Sequence, residues 1–281
     1  MPQVSIVIPS LSGQLGTLET SIKSQSLRHY EICAVVRVKP SGRARNVGAK
    51  RAKGDILVFI DDDAVLGDEH TLANLVEPLQ KDHTIGVTGA SKLIPPDSSW
   101  FQRWVAREVP RIEHPIVEEP LETNPDPERG YYCEVTTTCC AMRREVFEEV
   151  GGFNEELIRG VDTEFFIRLR RRGYHIILVP NTWVWHPAPA TLPALLRKHF
   201  FYGVGHSQEV KRDPLRSRGR FFHTPLQTLA YLIFRTLILL PNVFIPYSFT
   251  EPRWGLGFKP LKALTSYVSA LGYIYGWHKY Q

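Results

Sequence analysis

The sequence predicts an α/β fold, a mostly parallel sheet with helices on both faces, continued by a C-terminal helical, apolar tail. Three observations carry this. Val4–Ile8, Glu31–Val38 and Ile56–Ile60 are short, largely apolar runs rich in β-branched residues, the pattern of strands buried on both faces. Helix-spaced stretches separate them, which sets the strands side by side in a sheet covered by helices. Near the end, Arg235 is the only charged residue between Pro225 and Phe249, and none lies between Ala263 and Trp277.

The bulk numbers bound the rest. A chain of 281 residues that is 43% apolar and 22% charged can bury one substantial core with room for a small further domain or tail, which excludes disorder as its main state. The formal charge of +5 suits anionic partners such as nucleotides, phospholipid headgroups or nucleic acid, without choosing among them. Cys33, Cys133, Cys139 and Cys140 have neither the density of a disulfide scaffold nor the paired spacing of a zinc site, and read as reduced core residues. The run from Met1 straight into Val4–Ile8 shows no basic leader and no cleavage site, so a cytoplasmic catalytic part is expected.

In chain order, Val4–Ile8 is a strand ended by Pro9, Leu18–Ile22 a helix and Glu31–Val38 a strand. The small and basic residues from Arg43 to Lys53 form a second helix stopped at Gly54, before the strand Ile56–Ile60. Pro95–Arg129, rich in proline and charge, predicts a long surface excursion. Order resumes at Cys133–Met142. Arg144–Val150 then presents Val146, Phe147 and Val150 on one helical face, and Gly151-Gly152 stops it. A helix over Asp162–Arg172 buries Phe165, Phe166 and Leu169, and Ile176–Val179 and Trp183–Trp185 read as two late strands.

Ligands of such sheets bind at the carboxyl ends of the strands, and Ile60 is followed there by Asp61-Asp62-Asp63. Three carboxylates at the tip of a buried strand repel one another unless a cation neutralises them. An oxygen-rich cluster suits Mg²⁺ or Mn²⁺, which complete their coordination shells with substrate phosphates. The alternative is a solvated acidic turn with Asp63 capping a following helix.

Five motifs then occur in order: SIVIPS, GRARNVGAKRAKGDILVFIDDDA, CAMRREVFEEVGGFNEEL, GVDTEFFIRLRRRGY and a late VWHP. Together they resemble the family 2 glycosyltransferases of GT-A fold, over about Val4 to His186. The resemblance implies inverting transfer of a sugar from a nucleotide-diphosphate donor to an acceptor hydroxyl. It implies that Pro9 and Ser10 form the first nucleotide-contacting turn, and that Asp61, with its neighbour Asp62, lies on the donor side at the ribose. Asp63 is then the metal-diphosphate ligand, Asp162 the general base, and His186 a further contact to metal or diphosphate. The chemistry agrees, because inverting transfer needs a cation at the departing diphosphate and a carboxylate to take the acceptor proton.

Other readings are weaker in what they specify. Arg45, and with it Arg43, opens the helix before the aspartate strand and can stack on a base or pair with phosphate, or simply solvate a helix face. Asp162 reads equally as an N-cap, a role compatible with catalysis. His186 could be an ordinary strand-end histidine, and Thr136–Thr138 either line the acceptor pocket or form a polar strand edge. Two departures stand out. Val36-Arg37-Val38-Lys39-Pro40-Ser41 lacks the acid that reads uracil in many relatives, and Val161 replaces the glutamate that normally precedes the catalytic aspartate, leaving its role absent or to Glu164.

The expected division is a catalytic domain over 1–190 and a helical, membrane-associating region over 191–281. Pro241, Pro246 and a central Arg235 make Pro225–Phe249 a poor bilayer span, so interfacial or re-entrant helices are expected. Lys211, Arg212, Arg216, Arg218 and Arg220 suit anionic headgroups, and Tyr231, Tyr247, Trp254, Tyr273 and Trp277 suit the headgroup zone. Both segments could instead pack on the soluble part or form a dimer interface. On the membrane reading, the enzyme works at the cytoplasmic face on a lipid-linked or membrane-bound glycan. Two rival functions remain: a nucleotide-sugar-binding protein without turnover, and a basic nucleic-acid-binding protein, for which no recognition motif is present.

Overall fold

The computed structural model describes residues 3–123, 134–212, 221–245 and 257–280; Cys133, Arg216, Arg218, Arg220, Pro246, Tyr247 and Trp254 lie outside them. The chain begins β1 (Val4–Ser10), α1 (Gly16–Lys23), β2 (Tyr30–Val36), α2 (Ser41–Arg51), β3 (Ile56–Ile60). It continues β4 (Val65–Leu66), α3 (Thr71–Lys81), β5 (Ile85–Leu93), α4 (Trp100–Glu108), β6 (Leu121–Glu122), β7 (Cys139–Arg143), α5 (Arg144–Val150), α6 (Val161–Arg171) and β8 (His175–Trp185). Four helices follow: α7 (Leu192–Arg212), α8 (Pro225–Leu237), α9 (Leu239–Phe244) and α10 (Pro260–Lys279).

β1 and β3 are buried on both faces because their side chains alternate between two cores, whereas β2, expected to be buried like them, is a half-buried edge strand. Val7, Leu57 and Phe59 point to one face, where α2, α5 and α6 cover them with Ala49, Phe147, Phe165 and Leu169. Ile6, Ile8, Val58 and Ile60 point to the other, against Leu18 and Ile22 of α1 and Leu72, Leu75 and Leu79 of α3. Cys139 and Cys140 are buried free thiols in these cores and Cys33 is a half-buried one; burial pushes the thiols of Cys139 and Cys140 up, which keeps them neutral.

The sheet order is β2-β1-β3-β7-β5-β8-β4, with β6 on β8. The mostly parallel arrangement expected from the sequence is mixed instead. β2, β1 and β3 are parallel and so are β5 and β8, but β7 runs antiparallel between these groups, and β4 and β6 pair antiparallel with β8. The two late strands are one, β8, bent at Asn181, whose φ is 48°. The expected excursion after Pro95 holds a helix, α4, closed by a reciprocal Ser99–Gln102 capping box.

The tail is helical, and its second apolar segment is internal packing. α10 lies along α7, where a Cβ on Gly203 or Gly272 would collide with the main chain of the opposite helix at Ser269 or Phe200. These two positions need glycine for the backbones to approach so closely. The start of α10 is held by buried Glu108 of α4, whose carboxylate accepts from Leu261 N at 2.9 Å and from Trp104 Nε1 at 2.5 Å. Tyr273 is therefore 5% exposed against Phe222 and His206, not in a headgroup zone. Lys211 donates to the Trp277 and Tyr280 carbonyls, and Arg212 pairs with Glu156, so these two cations are engaged within the protein.

Candidate active site

The acidic turn is held from both sides. Asp61 N donates to Thr138 O at 3.1 Å, extending the β3–β7 pairing by one residue, and Ala64 N returns to Asp61 O at 3.1 Å. The chain then enters β4, whose pairing of Val65 with Trp185 brings Asp63 beside the residue after β8, His186. His186 N is fixed on Leu93 O at 2.8 Å, and its Nε2 stands 3.3 Å from Asp63 Oδ1.

One ligand atom from each of Asp61, Asp63 and His186 lies within 4.8 Å of the others. Asp62 is not part of that group. Asp63 does not cap a helix, because α3 starts later with His70 at its N-cap. Burial acts most strongly on the Asp63 carboxyl and pushes its pKa up, but the His186 hydrogen bond and charge, its own backbone N–H and the charge of Lys198 together bring it below the usual carboxylate range. Two anionic oxygens and an imidazole nitrogen converging from two strand ends make a donor set suited to a divalent cation such as Mn²⁺.

Arg45 is turned inward from α2. It is 4% exposed, its guanidinium carbon lies 6.0 Å from the centre of the Phe153 ring, and Nη2 donates to Asp61 Oδ1 at 2.6 Å while Nε is buried without a hydrogen-bond partner. The structure therefore places Arg45 as the residue that holds Asp61, where the sequence suggested a base or phosphate contact. Its neighbour Asn46 pins the loop after α5, donating to Phe153 O at 2.8 Å and accepting from Phe153 N at 2.9 Å. Arg43 sits at the surface, 3.9 Å from Glu155.

Pro9 and Ser10, expected as a turn after a strand ending at Ile8, are the last two residues of β1. Ser10 is buried, and its Oγ and O accept from Gly13 N and Arg37 N, both at 2.9 Å, so it shapes the turn beside the sheet edge. Thr137 and Thr138 are buried where β7 begins.

Asp162 is the second residue of α6 and not its N-cap, which is Gly160 at φ 77°. Its carboxylate accepts from Thr163 N at 3.0 Å, at the N-terminal end of the helix. Val161, in the place of the expected glutamate, is 5% exposed in the core against α2, and a Cβ on Gly42 would come within 2.7 Å of its methyl. Glu164 cannot substitute for it, because both its oxygens hold Arg168, at 2.7 and 2.8 Å.

Two cations here were missed in the sequence. Lys92, at the end of β5, donates to Arg111 O at 2.7 Å. Burial, then the charges of Lys198 and Arg111, bring its pKa down to about 8 against the opposing pull of Asp162 and Asp61. Lys198 comes from α7, so the region after 190 contributes to the site. A lysine closing the apolar stretch Ile85–Leu93 was the legible signal for the first; nothing local marked the second.

The model of "Glycosyltransferase like family 2" matches residues 24–201. An O-antigen biosynthesis protein, RfbC, of Myxococcus xanthus is 30% identical over 191 residues, 66% of this chain but 15% of that protein. The O-antigen chain rhamnosyltransferase RfbN of Salmonella typhimurium is 25% identical over 240 residues, 84% of this chain and 69% of that protein. In fold, the chain is similar to a mannosyltransferase of Pyrobaculum calidifontis solved with GDP-Man and Mn²⁺, at TM-score 0.59 and 16% identity over 99% of this chain and 88% of the other. It is also similar to TarS of S. aureus, at TM-score 0.51 and 12% identity over 99% of this chain and 91% of the other.

Proposed function

This chain belongs to glycosyltransferase family 2, and on that premise we propose that it is a metal-dependent inverting transferase moving a sugar from a nucleotide-diphosphate donor to a hydroxyl of a lipid-linked or membrane-bound glycan. The observation that carries the reading is the convergence of Asp61, Asp63 and His186 at the ends of β3 and β8, with an ionisable Asp162 at the head of α6. The mannosyltransferase relative in fold was solved with a nucleotide sugar and Mn²⁺, and two relatives in sequence are named for O-antigen synthesis.

Asp61, Asp63 and His186 would hold Mn²⁺ or Mg²⁺, which when bound neutralises charge on a departing diphosphate. Arg45 keeps Asp61 aimed, through a charge-assisted contact inside the fold. Lys92 and Lys198 add positive charge on the same side, suited to the diphosphate. Asp162 takes the proton as the acceptor oxygen attacks the anomeric carbon, and the bond from that carbon to the diphosphate oxygen breaks on the opposite face. The cytoplasmic face of a membrane is the place proposed for this, since its anionic lipids suit a basic chain.

The test is binding and turnover over a panel of nucleotide sugars with Mn²⁺ or Mg²⁺. Asp63→Ala is expected to abolish metal-dependent donor binding. Asp162→Asn should still bind donor but turn over about 10² to 10⁴ times more slowly. If no nucleotide sugar binds wild type with metal present, the reading fails at its first step.

A further inference from the structure

α8 and α9 follow one another almost without a break. Their junction falls at Ile238, and Pro241 sits in the first turn of α9, where its missing N–H has no helical acceptor to satisfy. Along this pair, Leu226, Leu229, Ile233, Leu237, Leu240 and Phe244 recur three or four residues apart, which places them on one face. They are 50% to 73% exposed. At 1.5 Å per residue the stripe is about 27 Å long.

Arg235 falls roughly opposite the stripe at about 100° per residue. It is 7% exposed, and its Nη2 donates to Ser266 O and Oγ on α10 at 2.8 and 2.6 Å. The arginine that made this segment a poor bilayer span is thus spent on the protein side, and the outer face is wholly apolar along its length. One flank carries an open groove of about 520 Å³ whose lining includes Phe222, Tyr231 and Phe234. Among the described residues no helix is long and apolar enough to cross a membrane.

A six-residue apolar stripe of this kind is the signature of a surface with a partner. Charge says which. From Pro214 to Gln281 the sequence has eight lysines and arginines and one acid, Glu251. A second copy of this chain would set like charge against like charge, whereas an anionic lipid surface complements it.

We propose that the outer face of α8–α9 lies flat in the interfacial zone of an anionic bilayer, with the stripe buried among acyl chains and Arg235 turned back to α10. The proposal deepens the reading above, on which the acceptor is membrane-bound: α10 ties this surface to α7, the helix that carries Lys198 to the site. The protein would then meet a tethered acceptor while lying on its membrane.

Flotation of the full chain with vesicles tests it, using phosphatidylcholine alone and phosphatidylcholine with about a quarter phosphatidylglycerol. The wild type is expected to float with the anionic vesicles, less with the neutral ones, and less again in high salt. Leu237→Glu with Leu240→Glu should lower binding at least tenfold while keeping wild-type circular dichroism and metal-dependent hydrolysis of a soluble nucleotide sugar. That hydrolysis reports separately on the transferase reading, so the two can fail independently. Wild type that stays with the free protein, or a double variant that floats as well as wild type, overturns the proposal. A concentration-dependent dimer in light scattering that the double variant disperses overturns it in favour of a second copy on this face.

Discussion

α8 and α10 are both uncharged in their centres save for Arg235, and by composition alone they are interchangeable candidates for the same role. Their surroundings differ completely. α10 carries Gly272 and Gly276 on the side that meets α7, and with Gly203 opposite they let two backbones touch. α8 instead repeats leucine, isoleucine and phenylalanine on a face that none of the described residues covers. Apolar composition says that a helix will avoid water; the size of its residues on one face says whether another helix can cover it.

That contrast can be broken at four places, in falling order of effect. Gly272→Ala should cost about 3 kcal/mol or more, since its Cβ meets the Phe200 carbonyl and overpacking of this kind forces backbone movement. A urea midpoint lowered at unchanged slope would show it. Arg235→Ala should cost about 2 kcal/mol, because it removes a nearly buried side chain together with its charged donation to Ser266 O and Oγ. An Arg235→Ala stability equal to wild type would mean that α8 is not anchored by this contact.

The third concerns pH at the α7–α10 seam, where His199 faces Ser269. Burial, and then the charge of Lys198, bring the imidazole down to about 4 from its ordinary 6.5. The unfolded chain therefore binds a proton between those values that the folded one does not, so stability is full above about 6.5, falls as the pH drops toward 4, and is flat below. Between pH 7 and 5 the loss should be about 2 kcal/mol. Denaturation at both pH values would show it, and His199→Gln should remove most of that difference. Smallest is Leu237→Ser, expected within about 0.5 kcal/mol of wild type in solution because the side chain is already in water. A large loss there would show that the stripe is covered by protein after all.

Much of the centre of the molecule was readable from sequence. The strands β1, β2 and β3, the helices α2 and α6, and the Asp61–Asp63 cluster all follow from local apolar spacing and from carboxylates at a strand tip. The antiparallel course of β7 was not, because pairing partners are chosen by contacts far apart in the chain. α3 and β5 carry adequate apolar patterns that were passed over, and Lys92 went unnoticed with them. α4 announced itself by Ser99 and Gln102 but was masked by the prolines around it. The inward turn of Arg45 and of Val161 depends on what α2 packs against, and no periodicity in either segment reveals it.

The loop bearing Asp162 has the tail at its back. Gly160, at φ 77°, lies under the Glu209 carboxylate of α7, and a Cβ on Gly205 of α7 would come within 2.8 Å of Arg159. Residues from both sides of position 190 therefore meet backbone to backbone at this loop. A shift of α7 would be felt at Asp162, so a push on the outside of the tail would reach the proposed base as well.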